Sequence, residues 1–257
     1  MTKLLPFNIQ QYREILNRQP IRREDAVRVV MGCSSYQEFT RYYKQTPQLF
    51  LGLFKKNCSY LKRKSYSEIY RSGEFGIMSP LDYVGMLSFV LPLFKKEIND
   101  FVELRYQYET VYLEGKYIEA EDILNRMNGT ISYSVWAAAN LIKLSELTGG
   151  LDKRLDTFNK LNGLGIQPLT SYICDQAQET ASINASALLF NEKRKAEIDG
   201  FNFESKWQTD YLLMHFFPYE NIDLNECLSY DFKSSLIDLY VDFIIFLPQL
   251  LVHIKTI

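Results

Sequence analysis

The chain has 257 residues, 47% hydrophobic and 23% charged, values that exclude wholesale disorder and suit one large domain or two small ones. With 12 Gly and 8 Pro it lacks the turn residues that a β-rich domain of this size needs, so long helices and short connections are expected. Net charge is −2 but unevenly placed: residues 1–100 carry 16 Lys+Arg against 9 Asp+Glu, a balance of +7, and the remainder carries 13 against 22, a balance of −9.

Helical spacing begins at once. Ile9, Tyr12, Ile15 and Leu16 share one side of a helix over 8–18, and Pro20 ends it. Residues 22–31 form a second helix stopped by Gly32. Ser35, with Glu38 three residues on, has capping-box spacing for a third helix running to Lys44. Pro47 opens a fourth, carrying Phe50, Leu51, Leu53 and Phe54. Residues 57–71 fit another helix, and 72–76 form a loop. Through this stretch Lys55, Lys56, Lys62, Arg63 and Lys64 alternate with Phe54, Tyr60, Tyr66 and Tyr70. Cations hold phosphates and aromatic rings stack on bases, so these five are the candidate nucleic-acid-binding residues. The turn at Gly32 also has helix-turn-helix spacing, with 35–44 as the recognition helix. The competing reading is of cations lying along amphipathic helices, or docking on an acidic surface.

Ser79-Pro80 reads as an N-cap followed by Pro at the first helical position. The apolar run 81–94 predicts a buried helix interrupted near Pro92. A boundary here divides a basic helical N-terminal region, 1–78, from a helical-repeat region, 79–257. A long helix follows over 97–114, with Phe101, Leu104, Tyr108, Val111 and Tyr112 on one stripe. Gly115-Lys116 turns the chain and 117–127 returns; 133–147 goes out again, Gly149-Gly150 turns it, and 151–161 returns. The second hairpin echoes the first at a spacing of 34 residues: Gly115 answers Gly149, Tyr117 answers Leu151, Leu124 answers Phe158, and Asn128-Gly129 answers Asn162-Gly163. A fixed period of this length is the signature of stacked helical hairpins.

After a loop at 163–168, one or two helices are expected over 170–192, a loop at 200–203, and a helix over 207–216. The final run 236–254 is almost wholly apolar. Asp238, Asp242 and Pro248 inside it argue against a membrane anchor and for a buried terminal helix; the cut edge of a longer array is a third reading.

The residues Tyr112-Leu113-Glu114-Gly115-Lys116-Tyr117-Ile118-Glu119-Ala120, with Gly149-Gly150-Leu151-Asp152-Lys153-Arg154-Leu155, resemble the tetratricopeptide and pentatricopeptide helical-repeat superfamily over roughly 97–168. The family places Gly at the hairpin turn, a large apolar residue two positions later, and then a small Ala where the helices approach. Gly115, Tyr117 and Ala120 fill all three positions; Gly149 and Leu151 fill two, and Arg154 stands at the third, where a long cation is expected to reach outward. The Gly165-Ile166-Gln167-Pro168 turn is similar to the pentatricopeptide variety, which reads single-stranded RNA. The acidic balance of this region opposes phosphate, so the resemblance implies the protein-binding, tetratricopeptide-like sense.

The expected fold is therefore all-α: stacked antiparallel helical hairpins in a short α-solenoid with a basic helical N-terminal region. The expected function is a non-enzymatic protein–protein interaction module or adaptor, holding a peptide or partner helix in the groove between outgoing helices. Tyr108, Tyr112, Asn140, Lys143 and Ser145 are the candidate groove residues. A nucleic-acid-binding regulator using the basic segment is the alternative. No phosphate-binding loop, nucleophile elbow, HExxH or paired CxxC occurs, so no cofactor or metal is expected. Of the two histidines, His215 sits in an apolar context suited to a core position and His253 in the apolar tail. Cys33, Cys58, Cys174 and Cys227 have no pairing pattern and read as reduced and mostly buried, as in a cytoplasmic protein.

Overall fold

Ser79-Pro80 opens a helix in the way its sequence predicts. Ser79 Oγ accepts from the Asp82 N–H at 3.2 Å, and Pro80 occupies the first turn, where its missing N–H costs nothing. The computed structural model describes Lys55 and residues 58–70, 79–181, 187–200, 206–217 and 224–255. Every regular element among them is helical. Two short 3-10 turns, Cys58–Leu61 and Tyr66–Glu68, come first. The α-helices among the described residues are α1 (Pro80–Leu93), α2 (Lys95–Leu113), α3 (Tyr117–Thr130), α4 (Val135–Gly163), α5 (Pro168–Ala181), α6 (Ala187–Gly200), α7 (Lys206–Phe216), α8 (Leu224–Asp231) and α9 (Leu236–Lys255). The helices expected before residue 55 lie outside the described residues.

The two hairpins form where the glycines predict. Gly115 takes φ +75° between α2 and α3. Gly150 takes φ 67° and ψ −161° and breaks α4 into two arms, 135–149 and 151–163. The arms fold back on each other: the Ser145 and Thr157 hydroxyls are 2.8 Å apart, whereas twelve residues of straight helix would separate them by about 18 Å. Consecutive helices pack from α1 through α5 and from α6 through α8. The last helix, α9, packs against α1, α2, α4, α7 and α8, so the element latest in the chain holds the centre.

The main core is built from Tyr83, Leu87, Ile142, Ile173, Tyr211, Phe232 and Phe246, all buried. A second cluster joins Phe101 and Tyr108 of α2, Ala120, Leu124 and Met127 of α3, and Ile237 of α9. Ala120 is fully buried in this second cluster.

Three features depart from expectation. Residues 57–71 do not form one helix, because their backbone groups bond elsewhere: Arg63 N donates to Ser132 Oγ at 2.9 Å, Tyr133 N to Arg63 O at 3.0 Å, and Tyr70 N to Lys233 O at 2.8 Å. Second, Cys58, Leu61, Tyr66, Ile69 and Tyr70 lie in the main core, so 58–70 is built into the body that follows and a boundary at 78 does not set it apart. Third, Arg154 does not reach outward. It is buried within its hairpin with its guanidinium 3.3 Å from Glu146, which neutralises the charge between the two arms.

Gly150 lies in a backbone region open only to glycine, and a Cβ there would meet no neighbour. Gly150→Ala should therefore destabilise the protein by about 1–3 kcal/mol through backbone strain alone. Gly129→Ala, in the helical last turn of α3 and equally unobstructed, should stabilise it by about 0.4–1 kcal/mol. Urea unfolding of the two variants checks both signs.

Candidate functional site

The predicted groove is filled from within the chain. Tyr108 is buried and donates to Asn140 Oδ1 at 3.2 Å, so α2 and the first arm of α4 do share a face. Trp136 covers it, with ring centroids 5.4 Å from Phe101 and 5.7 Å from Tyr108. Tyr240 of α9 then lies over Phe101 at 6.0 Å. Ser145 is buried inside its hairpin and bonds Leu141 O and Thr157, so it is a packing residue rather than a groove residue. Tyr112 is half-buried between Tyr108 and Tyr117. Lys143 alone of the five is exposed.

The basic segment is likewise divided. Arg63 is buried: its Nε donates to Ser234 O at 2.9 Å and a terminal nitrogen to Lys233 O at 2.5 Å, while its guanidinium lies 5.1 Å from the Tyr60 ring centroid. Its role is to hold the loop between α8 and α9, which removes it from any phosphate. Lys62 pairs with Glu97 at 3.0 Å. Lys64 and Lys55 are exposed, and Lys56 lies outside the described residues.

Two concave sites remain. The first is a cleft of about 320 Å3 among α4, α5, α6, α7 and α9. Trp136, Ile173, Phe216, Val241 and Ile245 supply apolar wall; Lys143, Arg194, His215, Asp238 and Asp242 supply charge. Asp238 accepts from the N–H groups of Val135 and Trp136, each at 2.9 Å, and from Ser235 Oγ at 2.8 Å. Burial pushes its pKa up to about 6, against the opposing pull of those donors. Asp242 accepts from Tyr211 at 3.0 Å and lies 3.4 Å from His215 Nδ1. Burial is the largest influence on His215 and disfavours its charge, but the nearby Asp242 carboxylate and the Asp238 charge together outweigh it, and the imidazole pKa lies above its ordinary value. Deeper in, Tyr83 donates to Asp231, whose pKa burial and the Asp242 charge push well above the carboxylate range. Thr180, on the cleft wall, donates its hydroxyl to the backbone of Gln176 and Ala177. Among the described residues no cluster of metal-ligand residues forms.

The second site lies at the hairpin turns. Gly115, Tyr117, Ile118 and Thr148 line one hollow of about 400 Å3, so the turn between α2 and α3 adjoins the turn within α4. Around these turns Leu113 is 84% exposed, Ile118 74%, Leu151 52% and Leu147 39%. The nearby charges neutralise one another, Lys116 with Glu114 at 2.8 Å and Lys153 with Glu121 at 3.1 Å. Sequence reasoning passed over this surface because its leucines fit the repeat pattern. The signal was there in Leu113 and Ile118, which flank a turn where polar residues are the norm. The cleft had no local signal at all, since its walls come from five helices.

Burial raises the Asp231 pKa, so its contribution to stability is present below the ordinary carboxylate pKa and lost as pH rises through its raised folded value. Asp238 and His215, also raised, act in the same direction. The unfolding midpoint should therefore decline as pH rises from about 4 to 7. Asp231→Asn, uncharged and still able to accept from Tyr83, should stay within about 1 kcal/mol of wild type at pH 7 and show a shallower decline. Asp231→Ala removes the acceptor of the Tyr83 hydroxyl in the core and should cost about 2–3 kcal/mol. Thermal melts across this pH range test all three.

No protein-family model matches the chain, and neither a curated protein nor a solved structure is significantly similar to it.

Proposed function

We propose that this protein is a non-enzymatic protein–protein interaction module or adaptor, a cytoplasmic one, built as a short α-solenoid of tetratricopeptide-like hairpins. The observation that carries the reading is the apolar surface at the two adjoining hairpin turns. Large aliphatic side chains at 84% and 74% exposure face water with no partner of their own, and side chains grouped in this way mark interaction sites. Both lysines beside them, Lys116 and Lys153, are ion-paired, so recognition rests on apolar contact and shape more than on positive charge. A partner presenting two or three apolar side chains on a helix or peptide fits such a surface. The groove between outgoing helices, where the sequence directs attention first, is covered by α9, so the binding surface moves to the hairpin turns. Among the described residues no helix is long and apolar enough to cross a membrane.

The alternative of a nucleic-acid-binding regulator rests on the basic segment, and there Arg63 and Lys62 already have protein partners. An enzymatic reading would centre on His215 and Asp242, 3.4 Å apart on the cleft wall.

The double variant Leu113→Asp, Ile118→Asp places two charges on the proposed surface. It should leave the unfolding midpoint within about 0.5 kcal/mol of wild type, because both side chains are exposed. Proteins retained by the wild type from nuclease-treated host extract should be lost by the variant, with affinity for a purified partner falling at least about tenfold. Retention that is unchanged in the variant, or abolished by nuclease alone, rejects the reading.

A further inference from the structure

Lys143 and Arg194 carry like charge toward one cleft from different helices. Arg194 is held in place, its Nε donating to Gln176 Oε1 at 3.0 Å and its guanidinium 4.1 Å above the Phe216 ring centroid. Lys143 stands at the mouth, and no carboxylate among the described residues lies within ion-pair distance of it. Surrounding protein and then the Arg194 charge push the lysine pKa below its ordinary value, a cost that an anion between the two cations would relieve. The cleft's two carboxylates already have partners: Asp238 accepts from two backbone N–H groups and Ser235, and Asp242 accepts from Tyr211 and lies 3.4 Å from His215 Nδ1. Unmet capacity for charge is therefore positive and sits at Lys143, while Trp136, Ile173, Phe216, Val241 and Ile245 supply apolar wall.

We infer that this cleft binds a small monocarboxylate with an apolar body, its carboxylate on Lys143 beside Arg194 and its body against Trp136, Val241 and Ile245. The volume of about 320 Å3 lies at the lower end of small-molecule sites, and five helices surround it, which suits a small molecule and not a peptide. A phosphate dianion is disfavoured because Asp238 and Asp242 lie in the same cleft. The site is separate from the apolar hairpin turns, so either proposal stands if the other fails.

The test is titration of the full chain with octanoate, octanol and octyl phosphate, followed through the indole N–H resonance of Trp136 and by calorimetry. Octanoate should shift the Trp136 resonance saturably and bind about tenfold or more tightly than octanol, which has the same body without the charge. Octyl phosphate should bind more weakly than octanoate. Lys143→Met should lose about tenfold in octanoate affinity with the unliganded melting temperature unchanged, and Lys143→Arg should retain most of it. Equal binding of octanoate and octanol, tighter binding of octyl phosphate, a Trp136 resonance that does not move, or a Lys143→Met variant that binds as wild type would each overturn the inference. The wild-type comparison of octanoate with octanol decides the matter without any variant.

Discussion

The carboxylate of Asp238 caps a helix that begins a hundred residues earlier. The start of α4 is buried, and a buried helix start carries N–H groups that need partners. Ser134 takes the N–H of Ala137, and Asp238 takes those of Val135 and Trp136. A carboxylate close to a helix N-terminus also meets its positive end. Asp238 can serve only if α9 lies across α4 at this one register. With α9 so placed, Tyr240 covers Phe101, Val241 and Ile245 wall the cleft, and Asp242 comes beside His215. Arg63 secures the same junction from the other side by binding the carbonyls of Lys233 and Ser234 just before α9.

Asp231 and Asp238 set burial against compensation. Desolvation raises the pKa of each, and donors pull it back. Asp238 has three donors, and its pKa rises only to about 6. Asp231 has Tyr83, but the neighbouring Asp242 charge adds to burial, and neutrality wins. The surrounding hydroxyls form a chain, with Tyr70 2.9 Å from Tyr211 and Tyr211 bonded to Asp242. The abundance of tyrosine in this sequence is thus partly a supply of polar tips to an otherwise apolar core.

What was legible in the sequence was local. Gly115 and Gly150 announce their turns because no other residue suits those backbone angles, and the 3.6-residue stripes of α2 and α3 announce the faces they bury. Ser79-Pro80 announces a helix start for equally local reasons. What stayed hidden was set by distant partners. Residues 58–70 carry a plausible helical pattern, but Ser132 and Lys233 bind their backbone in another conformation. Asp238 and Asp242 read only as charges out of place in an apolar run; that they serve a helix start and a histidine depends on where α9 lies. Arg154 looked too long for a close approach, and Glu146 on the facing arm, eight residues earlier, made the difference.

The central position of α9 also bears on the order in which the protein is made. During synthesis Phe101, Tyr108 and Trp136 leave the ribosome roughly a hundred residues ahead of Tyr240 and Asp238, and at about 5–20 residues per second that leaves an interval on the order of 5–20 s. Throughout it the nascent hairpins present an uncovered aromatic face and an uncapped helix start. The hairpins can assemble while the chain grows, but their inner surface is completed only after α9 emerges.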